Sequence, residues 1–163
     1  MKTIEFKRLT EVDTSDITLL MNHKLVRKQM PLLTNIIFNE KTCEKFIDIK
    51  ESLWIKHGYG PWAFVIDGRF AGWGGLQSEN GEADLAMVLH PDFWGIGKTL
   101  YKEIIRRAFY EMKLSSVTVL LPPTRTRISG LLHLGFKKDS ELEIEKQHFI
   151  KYRLEKTGKS TKK

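Results

Sequence analysis

An alternating strand that runs through two glycines into an amphipathic helix constrains this chain more than any other feature. The stretch is His90-Pro91-Asp92-Phe93-Trp94-Gly95-Ile96-Gly97-Lys98-Thr99-Leu100. Before it, Glu82 to Leu89 reads as a strand opened by the Asn80-Gly81 turn. After it, Leu100, Ile104, Ile105, Ala108 and Met112 recur at helical spacing on one apolar face. Gly95 and Gly97 allow close approach of the backbone, so amide N–H groups at the helix start can point at an anion. The chemistry suited to this loop is phosphate recognition. Two better-known nucleotide loops do not fit. A Walker A loop needs glycine where Asp92 stands. A dinucleotide fingerprint needs its third glycine where Leu100 stands, and a second mononucleotide half that the chain lacks.

A length of 163 residues with 41% hydrophobic content suffices for one buried core. The formal charge is +7, part of it in the final polar run from Thr157 to Lys163. The expected organisation is a single domain over residues 1–154 and a basic flexible tail over 155–163. A basic surface favours anionic ligands and attracts nucleic acid nonspecifically. With no zinc finger or basic zipper in the sequence, a phosphorylated small molecule is preferred over specific nucleic-acid binding. Cys43 is the single cysteine, which excludes an internal disulfide framework. No stretch is long and apolar enough to span a membrane, and the N-terminus shows no hydrophobic leader, so a cytoplasmic location is expected. His23, His57 and His148 have no close Cys, Asp or Glu spacing that makes a metal site, and no catalytic metal is expected.

Thr3 to Leu9 reads as a first strand, followed by a short helix capped by Asp13 or Ser15. His23 to Asn39 reads as irregular around Pro31. Lys41 to Lys56 reads as an amphipathic helix with Phe46, Ile49, Leu53 and Trp54 inward. Trp62 to Ile66 and Arg69 to Leu76 form a hairpin around Asp67-Gly68, and Glu82 to Leu89 extends it to a three-stranded meander. Gly72, Gly74 and Gly75 mark a bulge or a close backbone approach in the middle strand. The helix from Gly97 to Met112 leads to an interior strand, Val117 to Leu121, expected to lie parallel to Glu82–Leu89. If those two strands splay at their C-terminal ends, a slot opens beside the glycine loop, where an extended ligand arm can pair with the strand backbone. Pro122-Pro123 ends the interior strand. Thr124 or Thr126 can cap a short helix to about Leu134, Gly135 ends it, and strand material lies between Leu142 and Leu154.

This order of elements, with the His90–Gly97 stretch in the middle and Leu134-Gly135-Phe136 after a late helix, resembles the GCN5-related N-acetyltransferases. It looks closest to the branch that includes ribosomal-protein N-terminal acetyltransferases, over about residues 2 to 154. The resemblance implies an α/β (α+β) fold with a mixed, mostly antiparallel central sheet flanked by helices. It implies an N-acetyltransferase moving an acetyl group from acetyl-coenzyme A directly to a primary amine of a peptide N-terminus or small molecule. The amides of Trp94, Gly95, Ile96, Gly97, Lys98 and Thr99 would hold the pyrophosphate, and the pantetheine arm would lie along Val88, Leu89 and His90. His23, Arg27 and Met30 become candidates for the acceptor side. Three positions depart from the family pattern. Thr99 stands where glycine or alanine is commoner, Thr124 where asparagine often begins the late helix, and Leu131 where a tyrosine often protonates the departing thiolate. The last two departures keep a noncatalytic coenzyme A-binding regulator in view as the alternative.

Transfer to an amine requires a neutral nucleophile, a polarised thioester carbonyl and a route for one proton. Asp84 is the first candidate for base or amine-orienting carboxylate, because it shares a strand face with Ala86 and Val88. Glu82, two residues earlier on that face, is the reserve, and the closest branch also suggests an acidic residue here. Either carboxylate also fits a solvated strand face. The strand amide near Leu89 can donate to the thioester oxygen. His90 and His133 are titratable alternatives. Ser129 can contact the leaving thiol, and Lys98, Arg125 and Arg127 can meet phosphates. Trp62, Trp73, Phe64 and Phe70 can line an acceptor cleft or belong to the core. Cys43 has no recognisable nucleophile motif around it. The expected partners are acetyl-coenzyme A and an amine acceptor, with no membrane; the sequence leaves a homodimer open.

Overall fold

The computed structural model describes residues 2–30, 32, 36–125 and 128–156. The expectations resting on Thr126, Arg127 and the tail from Thr157 lie outside them. Seven strands form one sheet in the order β1-β2-β3-β4-β5-β7-β6, namely β1 (Ile4–Lys7), β2 (Pro61–Ile66), β3 (Arg69–Glu79), β4 (Glu82–Leu89), β5 (Ser116–Leu121), β6 (Lys137–Ile144) and β7 (Gln147–Glu155). Every pairing is antiparallel except β4 with β5, the pair that a helix joins. The expected mixed sheet and the parallel neighbours are both present.

Three tight turns set the hairpins. Asp67-Gly68, Asn80-Gly81 and Glu145-Lys146 all take positive φ at both residues, the backbone twist that matches two-residue hairpins. The third carries no sequence signal, because neither Glu145 nor Lys146 is a residue that favours that conformation. As a result, the strand material expected from Leu142 to Leu154 is two strands, β6 starting five residues earlier at Lys137. The bulge expected near the β3 glycines is there: Phe64 faces Gly72 and Val65 faces Phe70, leaving Ala71 as the extra residue. Gly72 has φ +152°, and a Cβ on it would stand 2.1 Å from the Val88 carbonyl oxygen.

The helices are α1 (Thr14–Asn22), α2 (Lys24–Arg27), α3 (Glu40–His57), α4 (Gly97–Arg106) and α5 (Ser129–His133). Asp13 caps α1 by accepting from the Ser15 N–H at 3.3 Å, and Asn39 caps α3 through the Thr42 N–H at 2.9 Å. The buried stripe of α3 differs from the one expected. Of the expected face, Phe46 and Trp54 pack inward against Trp73 and Trp62, but Ile49 is 61% exposed and Cys43 and Ile47 are the buried residues, because α3 meets α1 and the β2–β3 hairpin along a stripe rotated from the expected one. The late helix begins at Ser129 with Ile128 as its unassisted cap, so Thr124 lies outside it in a turn.

The sheet has a core on each face. Leu100 and Ile104 of α4, Ala108 of the wider π-helical turn Arg107–Glu111 into which the helix expected to reach Met112 passes, and Leu131 of α5 pack on Phe64, Leu76, Leu85, Val117, Val119 and Leu154. On the opposite face, Ile17, Leu20 and Met21 of α1 and Cys43 and Ile47 of α3 pack on Ala63, Trp73 and Val88. Strand alternation thus sends Leu85 to one core and Val88 to the other.

Candidate active site

β4 and β5 share one paired position, Asp84 opposite Thr118, although β4 runs on to Leu89 and β5 to Leu121. The two strands part because each is committed elsewhere. β4 stays paired with β3 along its whole length, and β5 stays paired with β7. Beyond the Asp84–Thr118 rung the facing edges of β4 and β5 carry no further ladder pair toward their C-terminal ends, and this unbridged gap is called the slot below.

The backbone lining this slot follows from alternation. The His90 N–H donates to the Ala71 carbonyl at 2.8 Å, toward β3. The peptide groups of Leu85, Met87 and Leu89 therefore face away from β3, toward the slot. The Leu89 carbonyl is taken by the Trp94 indole Nε1–H at 2.8 Å, which ties the following loop down over the slot mouth.

That loop is more helical than its two glycines suggest. Pro91–Ile96 forms tight 3-10 turns capped by His90, whose Nδ1 accepts from the Asp92 N–H at 3.1 Å, and it flows directly into α4. The Gly97 N–H is used internally, donating to the Trp94 carbonyl. Gly95 is exposed, with no neighbouring atom within 4 Å of where a Cβ would stand. A Cβ on Gly97 would touch only Leu89 Cδ1 at 3.8 Å and Met87 Sδ at 4.0 Å, so this glycine sits directly above the slot wall. Lys98, Thr99 and Arg125 are exposed.

Asp84 lies at the deep end. Its side chain is buried and its Oδ1 accepts from the Thr118 hydroxyl at 3.0 Å. Burial pushes the carboxyl pKa up to about 7, outweighing the hydrogen bond from Thr118, which favours the anion. Glu82, on the same face, is in a different situation. Lys151 Nζ stands 2.7 Å and Arg153 Nη2 2.6 Å from its oxygens, and those hydrogen bonds hold its pKa below the usual carboxylate value. The two carboxylates are thus driven in opposite directions by their surroundings.

The structure gathers Val88, Leu89, His90 and Trp94–Thr99 at one end of the slot and Asp84 at the other. Ser129 and His133 are exposed on α5, and Leu131 is buried in the core beneath it. The His23 ring meets that of His90 edge-on at 5.0 Å, joining the first helical region to the slot mouth. Of the aromatics, Trp62 and Phe64 belong to the α4-side core, whereas Trp73 faces α3, where it meets Phe46 at 5.2 Å.

Four side chains at this site carry no mark in the sequence: Thr118, Tyr101, Lys50 and Gln77. Thr118 enters through β5. Tyr101 of α4 packs at the edge of the core, its hydroxyl pKa raised by burial, with Arg125 and Asp84 as its charged neighbours. Lys50 of α3 donates to Gln77 Oε1 of β3 and lies over the rings of Trp73 and Phe46, 4.9 and 5.3 Å from their centroids. Helical spacing alone makes Tyr101 a core aromatic and Lys50 a solvated charge; only the folded topology brings them to β4.

Solved acetyltransferase structures share this arrangement. An acetyltransferase of the GNAT family from Bacillus anthracis superposes with a TM-score of 0.76 over 93% of this chain and 94% of its own, at 13% identity. An aminoglycoside acetyltransferase solved with coenzyme A gives 0.77 over 99% of both chains at 10% identity. A structure from Vibrio cholerae assigned to the ribosomal-protein-serine acetyltransferases gives 0.68 over 94% of both chains at 14% identity. At these identities the likeness establishes the acyl-coenzyme A N-acyltransferase fold. No curated protein matches the sequence closely enough to count as a relative. The profile of the acetyltransferase (GNAT) domain matches residues 4–133, and the chain belongs to that family. It is an acetyltransferase that transfers the acetyl group of acetyl-coenzyme A to an amine. Among the described residues, no helix is long and apolar enough to cross a membrane.

Proposed function

We propose that the β4–β5 slot holds acetyl-coenzyme A and that Asp84 takes the proton released by the acceptor amine. The fit to the donor rests on two features. The peptide groups of Met87 and Leu89 face an open slot, which suits an amide-bearing pantetheine arm alongside Val88, Leu89 and His90. The turn Trp94, Gly95, Ile96, with Gly97, Lys98 and Thr99 at the start of α4 and Arg125 across the mouth, is open to solvent and suits a diphosphate. Acetyl-coenzyme A supplies a thioester activated for transfer to nitrogen.

The observation that carries the reading is Asp84, a buried carboxyl titrating at about 7 where β4 and β5 stop pairing. Such a group is ionised for part of the neutral range and basic enough to accept a proton. A slot-facing N–H near Leu89 polarises the thioester carbonyl, and Thr118 holds the Asp84 carboxylate in place. Transfer is direct, since Cys43 is fully buried under α3 with its thiol pKa raised by burial. Glu82 orients Lys151 and Arg153 on the acceptor side, and Ser129 serves the departing thiol from the exposed first turn of α5.

We read the chain as one domain over residues 1–154 with a basic tail, belonging to the ribosomal-protein N-terminal branch and acting in the cytoplasm. Its acceptor is the primary amine of a peptide N-terminus or small molecule, with no specific nucleic-acid or membrane partner and room for a homodimer. The resemblance of the His90–Gly97 stretch and the likeness to the Vibrio cholerae ribosomal-protein-serine acetyltransferase structure support this choice. Two measurements test the proposal. Calorimetric titration with acetyl-coenzyme A, against ATP and NAD, is expected to show selective binding. The kcat/KM of the wild type over pH 5 to 9, on a panel that includes peptide amines, is expected to rise through about pH 7. A flat profile across that range would remove Asp84 as the base.

A further inference from the structure

We propose that Lys50 is itself an acetyl acceptor, a self-modification site on the acceptor side of the slot. The inference rests on the donor lying between β4 and β5. It begins with where the Lys50 amine is held. Nζ donates to Gln77 and lies over Trp73, residues that pair with Asp84 and Val88 respectively on β4. Between those two pairs, on the same sheet face, stands only Gly75 opposite Ala86. The amine therefore hangs over the smallest side chains of this face, one pair beyond the Asp84 position where the slot begins.

The amine lies over β3 and the slot lies beyond β4, so the two are about one and a half strand spacings, roughly 7 Å, apart across the sheet. A swing of the four-methylene stem away from Gln77 covers that span. The rings of Trp73 and Phe46 guide the stem, with Gly75 and Ala86 presenting nothing to block it.

The amine is also chemically unusual among the lysines of this face. Lys151 is held by Glu82 at 2.7 Å, whereas among the described residues no carboxylate lies within ion-pair distance of Lys50. The charged group acting on it is Glu79 of β3, and on the neighbouring β4 Asp84 and the ion-paired Glu82 stand opposite Gln77 and Glu79. Burial lowers the Lys50 pKa to about 8, with Glu79 opposing the shift. At pH 7.5 that gives a neutral fraction on the order of 100-fold larger than for an ordinary lysine.

The step balances without a further reagent. The Lys50 Nζ lone pair forms a bond to the acetyl carbonyl carbon and the carbon–sulfur bond breaks. One amine proton passes to Asp84, the thiolate departs and takes a proton from solvent to become the free thiol, and Asp84 returns its proton to solvent, so one proton moves in net from nitrogen to sulfur. The product is a neutral amide where a cation had lain over Trp73, so the modified chain presents an altered acceptor surface.

The test uses the full chain with acetyl-coenzyme A and no acceptor, followed by intact-mass and peptide mapping, beside calorimetric titration of the same sample. The expected result is preferential acetylation at Lys50, at least about tenfold faster than at exposed lysines, lost in Gly97→Glu. Binding of acetyl-coenzyme A with label spread over exposed lysines, or with none at Lys50, overturns this inference and leaves the donor site standing. Absence of binding overturns both. A donor-free readout is competitive labelling with acetic anhydride across pH. Titration of Lys50 near 8 is expected, and reactivity rising only near the ordinary lysine value overturns the inference whatever the transferase does.

Discussion

The two sides of the β4 strand are built by different means. Toward α4, the slot mouth is made from backbone: outward-facing peptides of Met87 and Leu89, an exposed turn at Gly95 and the start of one helix, all from a continuous stretch of chain. Toward α3, the proposed acceptor side is made from side chains drawn from five elements. Lys50 comes from α3, Gln77 and Glu79 from β3, Asp84 from β4, Thr118 from β5, and Lys151 and Arg153 from β7. A backbone site tolerates many side-chain changes and few changes of shape. A side-chain site responds to single chemical edits and to pH. The slot mouth should therefore fail by blockage and the acceptor side by loss of one group.

The largest expected effect tests the acceptor side. Asp84→Asn keeps the size of the side chain and removes its basicity. It is expected to lower kcat/KM by about 10²–10⁴-fold while leaving the calorimetric affinity for acetyl-coenzyme A unchanged. Equal losses in both would mean that Asp84 supports the slot rather than the proton transfer. The counterpart on the other side is Gly97→Glu. Its Cβ is accommodated by ordinary contacts with Leu89 and Met87, so the fold should persist, but its carboxylate would meet the diphosphate of a donor bound at the slot mouth as proposed. Affinity for acetyl-coenzyme A is expected to fall on the order of 100-fold through like-charge repulsion in a confined site. Retained affinity would remove the glycine turn from the donor site.

The same division explains how much of the molecule is legible in its sequence. β4 is legible end to end because the Asn80-Gly81 turn and a proline-bounded exit frame an alternating run. The parity of that run puts Asp84, Ala86 and Val88 on one face before any partner is known. The apolar face of α4 and of the π-helical turn that continues it is equally plain, with Leu100, Ile104 and Ala108 buried as spaced. The stripe of α3 is not legible because both Ile47 and Ile49 are apolar, and only its contact with α1 decides which turns inward. β6 is hidden because its turn, Glu145-Lys146, adopts positive φ without glycine or asparagine. Thr118, Gln77, Lys50 and Tyr101 carry no local signal, since each acquires its role through a pairing across many residues of sequence.

A smaller effect separates chemistry from stability at Asp84. In the unfolded chain an aspartate titrates near 3.9, whereas in the fold Asp84 titrates at about 7. Below pH 4 the carboxyl is protonated in both states and contributes no difference. As pH rises from 4 toward 7 the unfolded chain releases its proton while the folded one retains it, so the fold loses stability over that window. The loss is complete above about pH 7 and amounts to roughly 2–4 kcal/mol. The amide introduced by Asp84→Asn does not ionise, so this variant is expected to be more stable than wild type in urea at pH 8 and equal to it at pH 4. A variant less stable at both pH values would show that the Thr118–Asp84 hydrogen bond outweighs the burial of charge.

The smallest expected effect lies where the two modes of construction meet. Trp94 is 46% exposed, so its ring contributes little burial, but its indole N–H closes the loop onto the Leu89 carbonyl at 2.8 Å. Trp94→Phe keeps an aromatic ring and deletes that one donor. The carbonyl faces a solvent-accessible slot, so water replaces the lost partner and the cost should be a net hydrogen bond, about 0.5–1.5 kcal/mol, rather than a buried unsatisfied acceptor. If the loop is held to β4 chiefly by this bond, donor affinity should fall by a similar free energy, roughly three- to tenfold, with the pH profile set by Asp84 unmoved. If affinity is unchanged and only thermal stability drops, the packing of Gly97 over Leu89 and Met87 is sufficient to shape the slot mouth. A shift in the pH midpoint would mean that the backbone-built side and the side-chain-built side are coupled through β4, and the division drawn between them would have to be given up.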